Sequence, residues 1–165
     1  MGGINAGTVR RIAGATAAVL AIFTTGFEGY SNKVYRDTGG IKTVCVGHAY
    51  TDANGAPLRL GQVYSDEQCS VLLGQDLKQA ESQLLAATPV SLSEGERRAY
   101  TDFVFNMGIG TFRASSMRRL LIAGDHPGAC RRLLLYDKGR VQGKLVSLGG
   151  LARRRQWEME QCLTG

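Results

Sequence analysis

The sequence predicts an α+β domain, mostly helical, with one small antiparallel sheet near the N-terminus. Three observations lead there. Residues 33–50 gather β-formers (Val34, Tyr35, Ile41, Thr43, Val44, Val46) around a Gly39-Gly40 turn. Two capping boxes, Ser65 with Gln68 and Ser93 with Glu96, each open a stretch with apolar residues at helical spacing. The chain has 165 residues, 44% of them hydrophobic and 21% charged, enough for one core. Neither an internal repeat nor a proline-rich segment is present, which excludes solenoid and collagen-like classes.

In chain order, the apolar segment comes first. Residues 12–27 are sixteen uncharged residues behind Arg10-Arg11, the pattern of an export signal. The small-x-small site Ala15-Thr16-Ala17 has three apolar residues before it, so the segment is expected to be retained. Sixteen helical residues span about 24 Å, against a bilayer core of about 30 Å. Ala, Gly and Thr dominate over Leu and Ile, so insertion is marginal. Arg10 and Arg11 would hold the N-terminus in the cytoplasm and send the rest outward. The alternative is a buried first helix of a soluble domain, and the two states can succeed one another.

The sheet of residues 33–50 is followed by a loop over 51–63, marked by Asp52, Asn54, Gly55, Pro57 and Gly61. Ser65 opens a helix through Cys69, Leu72, Leu73, Leu77, Ala80 and Leu84, which Pro89 ends. Ser93 opens a second through Ala99, Phe103, Val104 and Met107, with Gly108 as its stop. A short helix over 116–123 closes at Gly124. Asp125 caps another, with Pro127 in its first turn. A glycine-rich stretch then leads to Gly150 and a last helix over 151–163.

Charge is unevenly distributed. Residues 1–112 carry 9 basic and 10 acidic side chains, whereas residues 113–165 carry 11 and 4. The basic C-terminal third suits an anionic partner: nucleic acid, membrane or cell wall. Four cysteines without a CxxC pair, and two distant histidines, give no zinc spacing, so neither metal nor cofactor is expected. The cysteines are either buried thiols in a reducing compartment or two disulfides in an oxidising one.

Glu28, Asp37 and Thr43 form the candidate chemistry. Glu28 ends the apolar segment, Asp37 lies at the first turn of the sheet, and Thr43 lies in a strand. A carboxyl at the mouth of an apolar helix titrates above its ordinary range, because burial disfavours charge. A protonated carboxyl facing a charged one is what glycoside hydrolysis requires, and a threonine hydroxyl can hold the water.

Several segments carry a resemblance. Phe27-Glu28-Gly29, Tyr35-Arg36-Asp37 and the run Thr43 to His48 resemble the active-site stretch of phage-type lysozymes, glycoside hydrolase family 24. Gln75-Asp76-Leu77, Phe103 to Gly108 and Gly150 to Glu158 resemble the family's later motifs, in order. The resemblance covers about residues 20–163 and is nearest to signal-anchor-release endolysins. It implies a lysozyme-like fold and a muramidase that cleaves bacterial peptidoglycan. Glu28 would be the general acid, Asp37 would position the water or oppose the oxocarbenium charge, and Thr43 would sit on the water side. A lytic transglycosylase and an inert, membrane-tethered wall-binding module are the alternatives.

The resemblance also implies an organisation. Residues 1–27 would be a signal anchor, in the membrane when inactive and a helix of the domain once released, and residues 28–165 the catalytic domain. The protein would first face the periplasm from the inner membrane and then become soluble there, a monomer without nucleic-acid partners. In that compartment disulfides are favoured, Cys45 with Cys69 and Cys130 with Cys162. None of the four lies in the apolar segment, so activation by disulfide exchange is not expected. His48 could act as a base, but a structural pair with Asp76 is preferred. Asn106 would face the cleft and bind sugar, or else serve as a helix C-terminal hydrogen-bonding residue. Arg154 would reach an acidic group near the cleft, with its neighbours Arg153 and Arg155 solvated. His126 is expected at the surface, and Trp157 in the core.

Overall fold

A computed structural model describes residues 29–165; Glu28 and everything before it lie outside the described residues. The chain divides into two compact units, one ending at Lys78 and the other spanning Gln79–Gly165.

In the first unit, β1 (Ser31–Arg36), β2 (Lys42–Cys45) and β3 (His48–Ala49) form an antiparallel sheet in that order. Tyr35 pairs with Thr43, Arg36 with Lys42, and Val44 with His48. Helix α1 (Asp66–Ala87) begins in this unit. The Ser65 hydroxyl accepts from the Gln68 N–H at 3.2 Å, and the Gln68 side chain accepts from the Ser65 N–H at 2.8 Å. Asp66 and Glu67 in the first turn complement the helix dipole. Val34, Val44, Leu58, Tyr64 and Leu72 form this unit's core around the Cys45–Cys69 disulfide.

The second unit is helical: α2 (Glu94–Met107), α3 (Ile109–Ala114), α4 (Ser116–Ile122), α5 (His126–Arg132) and α6 (Gly149–Thr164). Ser93 and Glu96 complete the expected capping box on α2. Its buried face (Ala99, Tyr100, Phe103, Val104) packs with Phe112, Met117, Leu121, Cys130 and Leu133. Gly95 is required where α2 meets the end of α6, since a Cβ there would lie 2.2 Å from the Gln161 carbonyl oxygen.

Two elements differ from expectation. Helix α3 lies where the sequence predicts no element, between the Gly108 stop and the helix over 116–123. The glycine-rich stretch contains a second sheet, β4 (Lys138–Val141) paired antiparallel with β5 (Lys144–Ser147). Gln142 and Gly143 turn it with φ of 49° and 78°, the positive values of a two-residue type I′ hairpin.

Cys45–Cys69 and Cys130–Cys162 are bonded, closing loops of 24 and 32 residues. Constraint of the unfolded chain makes each worth about 3–4 kcal/mol. Reduction should therefore lower the melting temperature by roughly 10 °C or more, measured by circular dichroism with and without reductant. An unchanged melting temperature would show that neither bond matters to stability.

Candidate active site

Asp37 closes β1 and starts the turn into β2. Its N–H donates to the Ile41 carbonyl at 2.9 Å, and its Oδ1 accepts from the N–H groups of Gly39 and Ile41, each at 2.9 Å. An aspartate that folds back onto its own turn in this way is held in one rotamer. The Oδ2 atom has no hydrogen-bond partner among the described residues. Thr43 is 4% exposed, and its hydroxyl donates to the same Ile41 carbonyl at 3.2 Å. Ile41 thus links the two residues: its N–H fixes the carboxylate and its carbonyl takes the threonine proton. With that proton committed, the Thr43 oxygen can only accept from a water.

Tyr30, two residues after Glu28, is fixed as well. Its hydroxyl donates to Asp66 Oδ1 at 2.5 Å, joining the entry to β1 with the start of α1. Burial, together with the bond to Asp66 and its charge, pushes the phenol up to about 12. Neither Tyr30 nor Asp66 is singled out by the sequence, where they stand 36 residues apart.

His48 is paired with Asp76, as the resemblance implies. Its Nδ1 lies 2.8 Å from Asp76 Oδ2, and its Nε2 lies 2.6 Å from the Thr51 carbonyl. Burial alone would lower its pKa, but the Asp76 carboxylate and the Thr51 carbonyl outweigh burial and raise it. A raised histidine stabilises the fold fully below its unfolded value near 6.5, and that contribution is lost as pH rises through the higher folded value. Stability in the wild type should therefore fall as pH rises from about 6.5 through the higher folded value. Asp76→Asn should flatten this slope in urea titrations run across the range, and an unchanged slope would remove His48 as its source.

Asn106 and Arg154 belong to the second unit. Arg154 is 1% exposed and grips Asp102 with two bonds, Nε to Oδ2 at 2.8 Å and Nη2 to Oδ1 at 3.0 Å. The expectation that its neighbours are solvated holds for Arg153 and fails for Arg155, which is fully buried. Arg155 donates to Glu158, Asn106 and the Tyr136 carbonyl, and its guanidinium lies 4.8 Å from the Phe103 ring centre. Burial and Asp102 push the Glu158 carboxyl well up, although Arg155 and Arg154 pull it down. The Asn106 amide oxygen is thereby engaged by Arg155.

His126 is not simply a surface residue: its Nδ1 lies 2.6 Å from Oε1 of the buried Glu96. Among the described residues, no group of His, Cys, Asp or Glu side chains is arranged to hold a metal ion. The first unit thus assembles Asp37 and Thr43 around Ile41 and pairs His48 with Asp76. The second joins Asn106 and Arg154 through Arg155 and Glu158.

The sequence profile of the phage lysozyme family matches residues 25–158. The SAR-endolysin of Bacteriophage PS119 is 34% identical over 161 residues, covering 93% of this chain and 90% of the relative. That of Enterobacteria phage PA-2 is 35% identical over 161 residues, covering 93% and 92%. The solved endolysin from the Escherichia coli O157:H7 phage FAHEc1 superposes with a TM-score of 0.75 at 26% identity, covering 90% of each chain. A family match over most of the chain, with the lysozyme-like fold beside it, places this protein in the phage lysozyme family as a glycoside hydrolase of the endolysin type.

Proposed function

We propose that the protein is a muramidase that hydrolyses the β-1,4 bond between N-acetylmuramic acid and N-acetylglucosamine in peptidoglycan. The carrying observation is the Asp37 carboxylate, which two backbone N–H groups hold by one oxygen. In this reading a water donates one proton to Asp37 Oδ2 and the other to the Thr43 oxygen, which leaves its lone pair for the anomeric carbon. Glu28 protonates the departing oxygen as the glycosidic bond breaks. The charge of Asp37 also opposes the positive charge developing on the sugar ring.

The same proposal assigns residues 1–27 to a signal anchor and residues 28–165 to the catalytic domain. Support comes from the uncharged run of residues 12–27 and from the SAR-endolysin names of the relatives. Among the described residues no helix is long and apolar enough to cross a membrane, so the proposal places anchoring in residues 12–27. While that run lies in the bilayer, Glu28 is held at the membrane surface and cannot be seated opposite Asp37. Release is therefore the activating step.

The test is mass spectrometry of borohydride-reduced products from purified peptidoglycan. Reduced muramic acid ends are expected. Anhydromuramyl ends would make the enzyme a transglycosylase. For the anchor, lytic activity should move into the soluble fraction with the released protein; active enzyme that stays in carbonate-washed membranes would contradict it.

A further inference from the structure

The β4–β5 hairpin takes no part in the chemistry above. Nine of its ten residues, 138–147, are exposed. Its register sets Lys138, Arg140, Leu145 and Ser147 on one face, and Gly139, Val141, Lys144 and Val146 on the other. Each face therefore mixes cations with branched aliphatics. Val141, Leu145 and Val146 are 46%, 61% and 38% exposed. A two-stranded ribbon is marginal by itself in water, and this one shows its aliphatic side chains outward.

Charge narrows the partner. Residues 131–147 hold five basic side chains and one acid, Asp137, and Asp137 already accepts from the Ser147 hydroxyl at 2.5 Å. The segment therefore keeps a net charge of +4, five basic side chains against one acid.

We propose that this hairpin docks the protein on an anionic phospholipid bilayer. The tip aliphatics Val141 and Leu145, with Val146, enter the interface, while Lys138, Arg140 and Lys144 meet lipid phosphates. A glycan strand fits less well, because the hairpin offers no aromatic ring for a sugar to stack on. A second copy also fits less well, since both faces carry cations that repel each other. The proposal does not depend on hydrolysis.

Hydrogen exchange of the full-length chain tests it, because the readout is confined to residues 138–147 and so is separate from insertion of residues 12–27. These amides should slow on phosphatidylglycerol-containing vesicles, remain fast on pure phosphatidylcholine, and lose protection in salt. Two variants, K138Q/R140Q/K144Q and V141S/L145S, should each cut that protection at least about tenfold while keeping the wild-type melting temperature. Equal protection on both vesicle types, or none on either, would overturn the proposal. So would protection by purified sacculi alone, which would reassign the hairpin to glycan. Protection that grows with protein concentration in the absence of lipid would reassign it to self-association.

Discussion

Glu28→Gln should lower turnover of purified peptidoglycan about a thousandfold while leaving the melting temperature unchanged. The amide keeps the size of the side chain but has no proton to give to the departing oxygen. Asp37→Asn is the companion variant. Asparagine can still accept from the Gly39 and Ile41 N–H groups, so the turn survives while the negative charge is lost. A two-carboxylate hydrolase should be crippled by either change. If Asp37→Asn stays substantially active while Glu28→Gln is dead, a single acid suffices, and the reaction is that of a transglycosylase. Product analysis and the two variants therefore answer the same question independently.

Arg154→Leu should destabilise the protein by about 3–5 kcal/mol, the cost of breaking a buried ion pair from one side. Arg154 is 1% exposed, while Asp102 and Glu158 are 0% exposed. The substitution leaves Asp102 without its two-bonded partner where no bulk water can replace it. The melting temperature should drop by roughly 10 °C or more. Arg153→Gln is the control, because Arg153 is exposed one residue earlier on α6 and should change stability by less than about 0.5 kcal/mol. The double variant Asp102→Leu/Arg154→Leu should recover part of the loss, since it removes the stranded charge. Equal melting of Arg154→Leu and Arg153→Gln would show that the network is not what holds α2 to α6.

Arg155 shows where sequence reading stops. Three consecutive arginines on a helix ordinarily form a solvated face. Burial of two of them depends on Asp102, which stands 52 residues away from Arg154, and on Glu158, whose acidity reads as one more surface charge. Capping boxes are different, because Ser65, Gln68, Ser93 and Glu96 lie within one turn of their partners and announce both helix starts. The sheet of residues 31–49 was legible for the same local reason, with β-formers grouped around a glycine turn. The β4–β5 hairpin was not, because strands exposed on both faces lack the alternation that betrays a half-buried strand. Helix α3 has six residues, too few to display a helical period. Within the candidate site, the sequence supplies Asp37 and Thr43 as residue types at a spacing. Their common attachment to Ile41 becomes visible once the strand register is known.

The two disulfides also differ in when they can form. In the proposed export, where the N-terminus stays behind and the residues after the anchor emerge in chain order, Cys45 and Cys69 emerge before Cys130 and Cys162, so their bond can close while later residues are still in transit. Cys130 must wait for its partner 32 residues further along, on the final helix. Each pair thus has a first thiol, Cys45 and later Cys130, that stays open to mispairing until its partner emerges. On that proposed route oxidative maturation would be a timed sequence, in which the sheet-bearing unit locks before the helical unit.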